Sequence, residues 1–175
     1  DRIASYLPNG SEAIAAFLAT ASIGAIWSSC SPDFGADSVV DRFSQIEPKV
    51  LLAVDGYSYN GRQFDRLAEI ASIEAALPTV ERTVVLGSVN EDPELSALRS
   101  GEAWGVAFTP TKVPLTFTRV PFSAPLWILY SSGTTGMPKP IVHGHGGILL
   151  EHFKKMWLHL DAREGDRVSW FTTTG

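Results

Sequence analysis

Val50-Leu51-Leu52-Ala53-Val54 is apolar at every position, which reads as a strand buried on both faces, and such strands belong to parallel sheets with helices packed above and below. The neighbouring segments follow the same plan. On the amino-terminal side, Asp37 to Ile46 reads as a helix that stops ahead of Pro48, and Ala25 to Cys30 as a strand. Before these, Ser11 reads as an N-cap for a helix with Ile14, Phe17, Leu18 and Ala21 on one face, closed by Gly24. Ile3 to Leu7 is the first strand and Pro8-Asn9-Gly10 a turn. On the carboxyl side, Gln63 to Leu77 reads as a helix and Arg82 to Leu86 as a strand.

The pattern weakens between Gly87 and Pro125, where Asn90-Glu91-Asp92-Pro93 and Ser100-Gly101-Glu102 are loop-like and Pro110, Pro114 and Pro121 punctuate short β-prone runs. This stretch reads as a connection between two halves of one domain. Beyond it come a strand at Leu126 to Tyr130, a helix from about Gly147 to Leu160 and a strand at Arg167 to Phe171. The alternation predicts an α/β fold of layered, mostly parallel sheets flanked by helices. No internal repeat is evident.

With 175 residues, 45% of them hydrophobic and 19% charged, the chain has the composition of a soluble globular protein. Its formal charge of −5 gives no basic footprint for nucleic acid. No apolar run approaches the roughly 20 residues that cross a bilayer. Cys30 is the one cysteine, so no internal disulfide is possible; this suits a reducing compartment, the cytosol by default, with Cys30 itself a buried, inert thiol. The chain starts with Asp1 almost directly in a strand and stops near another. It is therefore expected to be an internal part of a larger protein, with exposed strand edges when isolated.

The segment that carries chemistry is Ser131-Ser132-Gly133-Thr134-Thr135-Gly136-Met137-Pro138-Lys139. It follows an apolar strand, two glycines let successive N–H groups turn toward one anion, four hydroxyls add donors, and Lys139 supplies positive charge. Each ingredient suits a polyphosphate. The Walker pattern is absent, because Lys139 lies three residues after Gly136 and is followed by Pro140 rather than Ser or Thr.

The span Tyr130 to Lys139 resembles the signature loop of the adenylate-forming superfamily, which includes acyl-CoA synthetases, adenylation domains of peptide synthetases and luciferases. Most members read Pro-Lys-Gly at the end of this loop. Here Pro138-Lys139-Pro140, with Gly24 to Gly35 and Tyr59-Asn60-Gly61-Arg62, is similar to the branch of its acyl-CoA synthetases that acts on acetoacetate. The resemblance covers nearly the whole chain and implies that residues 1–175 are part of one large AMP-binding amino-terminal domain, without the small carboxyl-terminal domain.

It further implies a carboxylate, ATP with Mg2+, and coenzyme A as small-molecule partners. Ser131 to Gly136 and Lys139 would hold the nucleotide's phosphates, with Lys139 the catalytic cation. The implied contacts to adenine, ribose and magnesium, with no metal ligands in this chain, lie in the remainder of the parent enzyme. Arg62 matches a residue that meets CoA phosphates in related acetyl-CoA synthetases, a task suited to a permanently charged planar group. The family's earlier arginine is replaced by Tyr59, and Arg62 reads equally as a surface residue capping a turn. Asp33 and Phe34 align with a loop lining the CoA tunnel, and Thr172, Thr173 and Thr174 with a segment lining the acyl pocket; a polar strand end is the alternative for the threonines. His143 and His145 lack companion ligands and read as part of a helix start rather than a metal site. Acetyl- or propionyl-CoA synthetase, and a non-catalytic binding module, remain as alternatives.

Overall fold

A computed structural model of the chain describes residues 1–132, 136–170 and 172. The elements, in chain order, are β1 (Arg2–Tyr6), α1 (Ser11–Ser22), β2 (Ile26–Cys30), α2 (Ala36–Phe43), β3 (Val50–Val54), β4 (Gly56–Tyr59), β5 (Arg62–Asp65) and α3 (Leu67–Ala76). Then follow β6 (Arg82–Leu86), β7 (Gly101–Ala103), α4 (Trp104–Ala107), β8 (Pro125–Ser131), β9 (Lys139–Gly144), α5 (His145–Lys154) and a π-helical turn over Lys155–His159. Among the described residues seven strands form one sheet in the order β7-β6-β3-β1-β2-β8-β9. All neighbours are parallel except β8 and β9, which are antiparallel.

Strand alternation divides the core into two layers. On one face Ala4, Tyr6, Cys30, Leu51, Ala53 and Val85 pack with Val39 and Phe43 of α2 and Ile70 and Ile73 of α3. On the other, Trp27, Leu52, Val54 and Val84 meet Ala13, Ala16 and Phe17 of α1 and Trp104 and Ala107 of α4. This is the expected mostly parallel α/β sheet covered on both sides.

Several expectations need correction. Gly10, not Ser11, is the N-cap of α1, and the Ser11 hydroxyl instead donates to Glu12 at 3.1 Å. The inward face of α1 is Ala13, Ala16, Phe17 and Thr20, leaving Ile14 62% and Leu18 58% exposed. Small residues let the helix lie close to the sheet while the Phe17 ring sits 5.4 Å from that of Trp127. The helix expected from Gln63 begins only at Leu67, because Gly56–Tyr59 and Arg62–Asp65 form an antiparallel hairpin. Its turn residues Asn60 and Gly61 have φ of 49° and 73°, the signature of a two-residue hairpin loop.

The connection after Gly87 contains β7 and α4, and the chain after Lys139 returns along β8 before the last helix, which starts at His145. Residues 167–170 form no strand, and Phe171 lies outside the described residues. β9 is an edge strand with Ile141 and Val142 exposed. No described helix is long and apolar enough to cross a membrane.

Two buried carboxylates tie loops to this scaffold. Asp55, just past β3, accepts backbone N–H groups of Ser88, Val89 and Asn90 at 2.7, 3.1 and 2.7 Å. Glu74 on α3 accepts from the Thr83 and Ser100 hydroxyls at 2.7 and 2.6 Å and from the Arg99 and Ser100 amides at 2.6 and 3.1 Å. Burial alone would raise the Glu74 pKa, but these hydrogen bonds outweigh it and hold the group below its ordinary value.

Candidate functional site

In parallel α/β sheets the loops at the carboxyl ends of the strands form the ligand crevice, at the point where successive connections leave toward opposite faces. Here β1 leads to α1 on one face and the neighbouring β3 leads to α3 on the other. A cleft of about 390 Å³ lies at that point. It is bounded by Pro8 and Asn9 after β1, by Ser31, Pro32 and Asp33 after β2, by Tyr57 and Tyr59 of the hairpin after β3, and by Thr172. Asp33 and Thr172, read from sequence as lining of two different pockets, thus meet in one. The Asn9 amide donates to the Thr172 carbonyl at 2.7 Å. Thr173 and Thr174 lie outside the described residues.

The Ser31–Gly35 loop is held from three sides. The Tyr6 hydroxyl lies 2.6 Å from the Phe34 carbonyl and 2.9 Å from that of Pro32, and Arg66 Nε donates to the Pro32 carbonyl at 2.8 Å. Burial pushes the Tyr6 phenol well above its usual range, against the opposing pull of the Arg66 charge, so it stays a donor. Arg66 also donates to the Tyr57 hydroxyl at 3.1 Å and pairs with Glu69 at 2.7 Å, fixing the hairpin against the same loop. Phe34 packs against the core and carries the Arg42 guanidinium over its ring at 5.0 Å. It does not line the cleft, unlike its neighbour Asp33. Arg62 is exposed and pairs in register with Tyr59, which puts it at the hairpin tip beside the cleft.

β8 runs parallel to β2, with Trp27 opposite Trp127 and Ser28 opposite Ile128, so its carboxyl end emerges at the same edge. The glycine- and hydroxyl-rich segment is therefore a hairpin loop between β8 and β9, with Ser131 opposite Lys139 at its base. This differs from the strand-to-helix path read from the sequence. Gly136 has φ of 100°, a backbone state that L side chains rarely adopt. Lys139 is exposed beside Ser131 and Ser132, while Gly133, Thr134 and Thr135 lie outside the described residues. Such an arrangement can offer donors and one cation to a bound polyanion.

Cys30 lies at the end of β2, fully buried, with its thiol pushed up to about 12 by burial, as befits the inert role read from sequence. His143 and His152 flank the Trp127 ring at 6.2 and 5.8 Å. The described residues contain no group of three or more His, Cys, Asp or Glu side chains placed to hold a metal ion. Sequence reasoning missed Tyr6, Arg66, Arg42 and Gln45, whose partners lie dozens of residues away; only the Asn60-Gly61 turn signal was available to place the hairpin.

The family model described as "AMP-binding enzyme" matches residues 1–174. The chain is 46% identical over its full length to an acetoacetyl-coenzyme A synthetase of Rhizobium meliloti (strain 1021), and 44% identical to an acetoacetyl-CoA synthetase of Gallus gallus. It spans 27% of the length of each. A malonamoyl-CoA synthetase of Penicillium aethiopicum is 44% identical over 99% of the chain, which covers 25% of that protein. The solved acetoacetyl-CoA synthetase from Streptomyces lividans superposes with a TM-score of 0.93 at 46% identity, over 100% of this chain and 26% of that one.

Proposed function

The chain belongs to the AMP-binding enzyme family, and from that premise we propose that it is part of an acid–thiol ligase that activates acetoacetate with ATP and transfers the acyl group to coenzyme A. The observation that carries this reading is the hairpin loop ending in Lys139, presented at the same sheet edge as the cleft bounded by Asp33, Tyr59 and Thr172. In the first step a carboxylate oxygen attacks the α-phosphorus of ATP and the bond to pyrophosphate breaks. In the second the CoA thiol attacks the acyl carbonyl and AMP leaves.

A carboxylate is a poor nucleophile toward a polyanion, so cations and preorganised donors must neutralise the departing phosphates. Lys139, with Ser131, Ser132, Gly133, Thr134, Thr135 and Gly136, serves that role. Arg62 at the hairpin tip meets the phosphates of CoA, and the cleft beside it takes the pantetheine and acyl portion. Magnesium accompanies ATP in this reading, and the described residues contain no group of three or more His, Cys, Asp or Glu side chains to hold it. Residues 1–175 are read as part of one amino-terminal domain of a cytoplasmic enzyme, the single cysteine suiting a reducing compartment.

The names of the relatives narrow the acid. Acetoacetate and malonamate both carry a carbonyl two carbons from the reacting carboxyl carbon, so a short β-carbonyl acid is the substrate class, with malonamate the second reading. The test is acid-dependent ATP–pyrophosphate exchange by the full-length protein that contains this chain. Acetoacetate should exceed acetate and propionate, and Lys139→Ala should slow exchange roughly a hundredfold, the usual cost of about 3 kcal/mol for one preorganised charge, while sparing thioester formation from supplied acyl-adenylate. Faster exchange with acetate would make the protein an acetyl-CoA synthetase. No exchange with any acid would leave a binding module.

A further inference from the structure

The turn that ends α2 touches both mouths of the hairpin loop. At the entry, the Tyr130 hydroxyl donates to the Arg42 carbonyl at 2.7 Å. At the exit, the Gln45 side-chain amide donates to the Pro138 carbonyl at 2.9 Å, and also to the Asp41 carbonyl one helical turn back at 2.7 Å. Gln45 thus commits its amide nitrogen to two carbonyl oxygens, one of them 93 residues away. Pro138 immediately precedes Lys139, where the β8–β9 ladder begins. A restraint on its carbonyl therefore acts directly on the backbone that aims the lysine. Arg42, in the same turn, lies over the Phe34 ring at 5.0 Å and the Tyr130 ring at 5.9 Å, linking the loop base to the segment that bounds the cleft.

We propose that Gln45 and the Tyr130 hydroxyl are positioning residues for adenylate formation, fixing the two ends of the loop to α2 so that Lys139 is held where pyrophosphate departs. The proposal rests on the reading of this loop as the nucleotide's phosphate site. Neither residue touches the reacting atoms. Their effect comes through geometry, since small misplacements of a catalytic group cost disproportionately in rate. Gln45 is exposed, so losing its amide leaves the core intact.

The test compares wild type, Gln45→Met and Tyr130→Phe in the full-length protein. Gln45→Met keeps the side-chain volume and removes the donor. Each variant should lower kcat for ATP–pyrophosphate exchange about fivefold, leaving KM for the acid and acyl transfer from supplied acyl-adenylate unchanged, and Gln45→Met should also leave the melting temperature unchanged. The backbone amides of Met137 and Lys139 should exchange with deuterium several-fold faster in Gln45→Met. A wild type without exchange activity would overturn the functional reading and this proposal with it. An active wild type matched in kcat and in amide exchange by Gln45→Met overturns the positioning role alone. So does a loss that falls equally on the acyl-transfer step, because that marks general disruption.

Discussion

The apolar residues of strands β1, β2, β3 and β6 and those of β9 with α5 are buried very differently. In the first region Tyr6, Phe43, Leu51, Val54 and Val85 are all 0% exposed, because α2 and α3 cover one face of the sheet and α1 and α4 the other. In the second, Val142 is 58% and Phe153 67% exposed, and Gly146 is the one residue of α5 that is buried among those described. Apolar content becomes stability only where a second layer excludes water from it. The first region holds the chain together, and the second presents the loop.

The sharpest way to break that contrast is to truncate equivalent aromatic side chains in the two regions. Phe43→Ala in the 175-residue chain should cost about 4 kcal/mol by emptying a fully buried site. Urea unfolding measures this, and a loss under about 1 kcal/mol would deny that the α2–α3 layer carries the stability.

An intermediate effect belongs to Glu74, whose depressed pKa makes the first region sensitive to acid. A carboxyl group held below its unfolded value, about 4.3, stabilises fully above that pH, and the contribution is lost as pH falls through the folded pKa. Glu74→Gln should therefore cost about 2 kcal/mol near neutral pH. The difference between wild type and variant should shrink below about pH 4. A constant difference from about pH 7 to 3 would show that the charge of Glu74 does not matter. The smallest effect completes the contrast: Phe153→Ala should change the stability of the same chain by less than about 0.5 kcal/mol.

How far the sequence could be read follows the same division. Val50–Val54 and Arg82–Leu86 coincide with their strands because continuous apolar runs have one interpretation in a covered sheet. The orientation of α1 was less accessible, since two overlapping apolar stripes cross that helix and only contact with Trp27 and Trp127 selects the Phe17 side. Lys139–Gly144 carries Pro140, which argues against a central strand but is accepted at this edge. At the site, the loop composition pointed to phosphate, whereas its hairpin form and its ties to Gln45 and Arg42 arise from residues about 90 positions apart. Nothing local encodes those pairings.

The junction of β2 with β8 has a consequence in time. Ser28 donates to the Ile128 carbonyl across 100 residues of chain, so β2 leaves the ribosome long before its partner exists. At a synthesis rate of about 10 residues per second the wait is roughly 10 seconds, far longer than a small α/β unit takes to collapse. The β1-β2-β3-β6 unit can thus assemble first and keep one flank of β2 unpaired until β8 arrives. During that interval a nascent chain offers an open strand edge, the state in which neighbouring chains on one message can join each other instead.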